Sequence, residues 1–82
     1  MPLFIGLHKT SGSIDEKRIP RGWANYKQTA IKLSLKPICN YYNASIGIGY
    51  CITEAPSKED IIKAHSNINM TLEEITEVKM IK

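Results

Sequence analysis

The chain has 82 residues, 43% of them hydrophobic, with 11 basic and 8 acidic side chains and a formal net charge of +3. That length fits one small domain, and a chain so short buries only about 60% of its unfolded surface, so packing against a partner chain is favoured. No apolar run approaches the roughly 18 residues of a membrane-spanning helix. The opening "MPLFIGLHKT" lacks the long apolar core of a secretion signal. The cysteines, Cys39 and Cys51, are too few for a disulfide scaffold and lack C-x-x-C spacing. A cytoplasmic protein with free thiols is the expectation.

In chain order, "PLFIGLH" is a short apolar run that reads as a strand ending near His8. "KTSGSIDEKRIPRG" holds Gly12, two serines and Pro20, and reads as a loop leading into a helix from about Arg21. Trp23, Tyr26, Ala30 and Leu33 follow at i, i+3, i+7 and i+10, which is one helical face. "KPICNYYN" and "SIGIGYCITEA" read as two strands of a hairpin. After Pro56, Ser57 is placed to cap a second helix that carries Glu59 and Asp60 in its first turn, where acids complement the helix dipole. The apolar face of that helix is Ile61, Ala64, His65 and Ile68. "TLEEITEVKMIK" opens with Thr71 and Glu74 in capping spacing, read as a single turn, and ends in a strand over 75–81.

The order β-α-β-β-α-β is the split βαβ, or ferredoxin-like, α+β arrangement: an antiparallel sheet with both helices on one face. Along the third strand Ile46, Ile48, Tyr50 and Ile52 alternate with Gly47, Gly49, Cys51 and Thr53. The isoleucines are expected under the helices, together with Leu3, Ile5 and Leu7 of the first strand. Phe4, Gly6, His8 and Cys51 are then expected on the open face. An exposed Phe4 would call for a cover, and a homodimer packed through its sheets is the expected assembly.

Charge is unevenly placed. Residues 17–36 hold six basic side chains and no acid, whereas from Glu54 onward six acids stand against four lysines. On a helix Lys27 and Lys32 diverge by about 140°, so no tight basic stripe forms and nucleic acid is not the expected partner.

The chemistry-bearing residues are few. His8 ends a strand beside a long loop and can serve as a metal ligand or as an acid or base; its ordinary reading is a half-exposed strand-end histidine. His65, on an apolar helix face, reads first as a core histidine with a hydrogen-bonded ring nitrogen and second as a ligand. Cys51 in mid-strand reads as a small buried hydrophobe or, beside a histidine and a carboxylate such as Glu54 or Glu77, as part of a borderline-soft site for nickel, zinc or copper. A catalytic Cys–His pair would also need an oxyanion hole and an orienting third group, which no motif marks. "IGIGY" lies inside a strand pattern without a following G-K-[ST], so it is no phosphate loop. Tyr41, Tyr42 and Tyr50 could donate hydrogen bonds to an organic ligand, or simply pack on the sheet.

"MPLFIGLH", "GYCITEAPSKEDIIKAH" and "EEITEVK" together resemble a family of small nickel-binding, ferredoxin-like dimeric domains. The resemblance covers nearly the whole chain and is weakest over 12–36. It implies a homodimer of α+β barrel type and binding of nickel or a similar divalent metal, with His8, Cys51 and His65 at the positions of the family's polar signature and Tyr50 beside the cysteine. The chain departs from the family where a further histidine is usual in the first helix, having Trp23, Ala24 and Asn25 there, and again after His65, where it reads "SNINM". The leading expectation is therefore a non-enzymatic metal-binding or metal-responsive dimer, with His8 and Cys51 the foremost ligands. The alternative is a small-molecule binding domain or small enzyme using His8 and the tyrosines.

Overall fold

A computed structural model describes residues 1–82. The elements follow as β1 (Leu3–Lys9), α1 (Arg18–Lys32), β2 (Lys36–Asn43), β3 (Ile48–Glu54), α2 (Lys58–Ser66) and β4 (Glu74–Val78). The strands form one sheet in the order β2-β3-β1-β4, with every neighbouring pair antiparallel. This is the expected ferredoxin-like α+β fold.

Both helices bury the faces that their spacing predicts. Tyr26 and Ala30 of α1 and Ile61, Ala64 and His65 of α2 are buried, and Trp23, Leu33 and Ile68 pack against them. Each helix ends in a Schellman motif: Leu35 N–H donates to Ala30 O around Ser34 (φ 64°), and Met70 N–H donates to His65 O around Asn69 (φ 55°). The second motif turns the chain back across the end of β1, which matters for the site. Four local details differ from expectation, one being that β4 spans Glu74–Val78 and stops three residues before the expected end at Ile81. Helix α1 starts three residues early, at Arg18; Ser57 Oγ donates to Asp60 Oδ2 (3.0 Å) and makes no backbone cap; and residues 71–73 form no helical turn.

The two faces of the sheet are the reverse of the expected ones. Phe4, Gly6, Cys51 and Thr53 lie under the helices and are buried, with Phe4 only 5% exposed. Leu3, Ile5, Leu7, Ile48 and Tyr50 face the other way and are half-buried or exposed; Ile52 shares their face but is covered by its neighbours. Ile46 lies outside the strand and is exposed. The physical reason is volume. The helices bring down large side chains, Tyr26, Ile61 and His65, and close packing under them calls for small groups on the strands. Gly6 shows how tight this is, since a Cβ there would stand 2.8 Å from both Cys51 Sγ and Leu72 Cδ1.

The loop between β1 and α1 is pinned to the β2–β3 turn by Thr10 N–H to Gly47 O and Ile14 N–H to Ala44 O, each 2.9 Å. Gly47 has φ +69°, and a Cβ on it would collide with Gly12 O and Thr10 Oγ1, so only glycine lets the loop lie this close. The loop thereby walls a space at one end of the helix-covered face of the sheet.

Candidate metal centre

Three side chains from three elements meet on that face. Register places His8 on β1 opposite Gly49 and Gly6 opposite Cys51, so His8 and Cys51 project from the same face of adjacent strands. His65 descends onto them from the last turn of α2. His8 Nε2 is 3.3 Å from Cys51 Sγ, and His65 Nε2 is 3.6 Å from the same sulfur. The three ligand atoms lie within 4.8 Å of one another. The expected partition, with His8 and Cys51 on an open face and His65 apart in the core, does not hold: all three lie between sheet and helices.

The orientation of both rings is fixed by backbone carbonyls. His8 Nδ1–H donates to Thr71 O at 2.8 Å, and His65 Nδ1–H donates to Ile61 O at 2.7 Å. A carbonyl can only accept, so each Nδ1 carries the proton and each Nε2 presents a lone pair. Both lone pairs point at one thiol, whose single proton can satisfy only one of them. Without a cation the cluster is a buried polar group short of a donor, which is costly. A divalent ion accepts all three lone pairs at once. The carbonyl that receives the far ring nitrogen is the usual outer support of a metal-bound histidine.

The two distances to sulfur agree with such an ion, while the two nitrogens, which set the 4.8 Å limit of the trio, must draw to about 4.1 Å or less to share it. Bonds of about 2.0–2.1 Å to nitrogen and 2.3 Å to sulfur, at a tetrahedral angle, put the two donor atoms about 3.6 Å apart, and at a right angle about 3.1 Å. The observed 3.3 and 3.6 Å span that interval. The donor set of two imidazoles and a thiolate suits late first-row metals more than calcium or magnesium.

Burial sets the protonation. Desolvation pulls His65 down to about 4, against the Ile61 carbonyl, which works upward, and with nearby His8 adding to the fall. Desolvation likewise lowers His8, partly offset by its bond to Thr71 O. The Cys51 thiol is pushed up to about 11 by burial, opposed by the backbone amide of Gly6. At neutral pH the imidazoles are therefore uncharged ligands, while the thiol must give up a proton to coordinate. The same burial argues against a catalytic Cys–His pair, because a thiol held near 11 is a poor nucleophile.

Tyr26 supports the cluster from above. Its ring lies 4.5 Å from that of His65 between centroids, the His8 and His65 rings are 5.0 Å apart, and the Tyr26 hydroxyl shares a buried 2.6 Å hydrogen bond with Thr53 Oγ1. Burial pushes the phenol up to about 12, the Thr53 bond working against it. Of the tyrosines singled out from the sequence, Tyr42 reaches this end of the molecule and donates to Glu16 Oε1 at 3.0 Å. Tyr41 and Tyr50 pair across the opposite face of the sheet. Sequence reasoning missed Tyr26 as a site residue, although its place on the apolar face of α1 was plain. The carboxylates Glu54 and Glu77 do not join the cluster.

No family model matches the chain, and no curated protein matches it. Among solved structures, the crystal structure of SCO4226 from Streptomyces coelicolor A3(2) is similar over 98% of this chain and 99% of its own, with a TM-score of 0.87 and 19% sequence identity. At that identity the likeness is one of fold, a compact ferredoxin-like α+β chain.

Proposed function

We propose that this chain is a small, non-enzymatic protein that binds a divalent transition metal, nickel or another late first-row ion, through His8 Nε2, Cys51 Sγ and His65 Nε2. The observation that carries the reading is the convergence of two imidazole lone pairs, each aimed by an Nδ1–H bond to a backbone carbonyl, on one thiol. The resemblance of the chain's strand and helix signatures to a nickel-binding family favours nickel. The test is optical. Nickel added to reduced protein should produce a thiolate-to-metal charge-transfer band that Cys51→Ser abolishes, and a spectrum identical to that of the aqueous ion would refute the reading.

Proton release follows from the state of the thiol. With Cys51 held near 11 and both imidazoles neutral, binding at pH 7 frees one proton. Affinity should then rise about tenfold per pH unit between neutrality and about pH 11. Below the lowered histidine values, protons compete for Nε2 as well and the fall becomes steeper. Calorimetry in two buffers of different ionisation heat should report about one proton released per ion; a value of zero would remove the thiol from the ligand set.

We propose in addition that the chain is a homodimer, with the apolar row of Leu3, Ile5, Leu7, Ile48 and Tyr50 covered by the same face of a second copy. Half-buried Leu3, Ile5, Leu7 and Ile48 beside exposed Tyr50 on one face of the two central strands favour such a cover. Light scattering after gel filtration should give twice the 9.2 kDa chain mass, and Ile5→Glu should return the protein to one.

A further inference from the structure

The cluster does not close on itself. It forms the floor of a cavity of about 460 Å³ between the pinned β1–α1 loop, the start of α1 and the end of α2. Three ligands from the chain leave a metal at least one position to fill, which is the arrangement of exchangeable rather than structural sites. The volume lies in the range of small-molecule pockets.

The walls state what would fit. Trp23, Ile19, Ile14 and Met70 make them largely apolar. The charged side chains in the lining are Arg18 and Lys9; no carboxylate lines the cavity, and neither cation has a salt-bridge partner. Glu16 stands nearby but is engaged by the Tyr42 hydroxyl. A divalent ion held by two neutral imidazoles and one thiolate would keep a net charge of +1, adding to the same sign. Asn40, opposite Cys51 on β2, lines the cavity too, and its Oδ1 is shielded from solvent without any hydrogen-bond partner. An unpaired buried acceptor in a cavity wall calls for a donor, which a water carried in with an anionic ligand supplies.

We infer that the cavity binds a small aromatic monocarboxylate, with its carboxylate toward the metal cluster and its ring against Trp23 and Met70. This rests on the metal reading above and deepens it, because it assigns the ion an exchangeable organic ligand. Arg18 and Lys9 act through their field and raise the preference for an anion over a neutral molecule of the same shape.

The test uses nickel-loaded protein with benzoate as the probe and benzyl alcohol as its neutral counterpart, read by calorimetry and by the charge-transfer band. Benzoate should bind at least about tenfold more tightly than benzyl alcohol and shift the band. Arg18→Ala should weaken benzoate severalfold while leaving nickel affinity unchanged, and Lys32→Ala, a cation outside the cavity, should change neither. Equal binding of benzoate and benzyl alcohol, or no binding of benzoate, overturns the inference. The nickel titration is read first and separately. If nickel does not load, the metal function fails, and the anion site is judged on metal-free protein by the same preference for benzoate, which sustains it if present and ends it if absent.

Discussion

Cys51→Ala should lower nickel affinity by at least about a hundredfold, because loss of an outer-shell partner alone typically costs about 10–100-fold and this change removes a ligand. The metal-free protein should lose less, about 1–2 kcal/mol, as the two imidazoles give up the one thiol proton they share. The contrast is diagnostic. A structural cysteine would show the opposite pattern, with a fall in stability and no change in metal binding. Thermal denaturation with and without nickel reads both quantities in one experiment: the wild type should gain melting temperature with the ion, and the variant should not.

Gly6→Ala should strongly destabilise the folded protein. Its Cβ would sit 2.8 Å from Cys51 Sγ and 2.8 Å from Leu72 Cδ1, and overpacking of this kind costs about 1–3 kcal/mol. In a domain of this size each kcal/mol lowers the melting temperature by about 4–8 °C. The thiol must also swing away from Nε2 of both histidines, so metal affinity falls with stability. Because Sγ is one of the two atoms in conflict, removing it should give back part of the loss. In a double-mutant cycle, Gly6→Ala with Cys51→Ala should be more stable than the sum of the two single changes; strict additivity would mean that the added methyl is accommodated elsewhere.

The order of elements and the buried helix faces were legible because their signals are local. Trp23, Tyr26 and Ala30, and likewise Ile61, Ala64 and His65, repeat at helical spacing, and burial follows that spacing. The face of the sheet was not legible. Both rows of β1 and β3 are apolar enough to be core, and alternation alone cannot rank Leu3, Ile5 and Leu7 against Phe4, Gly6 and Cys51. What decides is the size of the side chains arriving from the helices, and that is a property of the packed molecule. Alternation did place His8 and Cys51 together on one face, and helical spacing did turn His65 inward; only the inverted sheet kept the three apart in the sequence reading. The carbonyls of Thr71 and Ile61 had no signature, since any residue supplies one. The Thr71 carbonyl reaches His8 through the Schellman turn around Asn69, a backbone event recorded in the sequence only by an asparagine at the left-handed position.

The most direct test of a metal held by His8, Cys51 and His65 is a calorimetric titration of reduced, chelator-stripped protein with nickel and then with zinc, under anaerobic conditions. The structure predicts one ion per chain at micromolar affinity or tighter, about 8 kcal/mol or more, lost in His8→Ala and His65→Ala as well as in Cys51→Ala. Absence of binding for both ions at two temperatures, with no shift in melting temperature on adding either, would contradict it and leave the cluster a packed trio of core side chains.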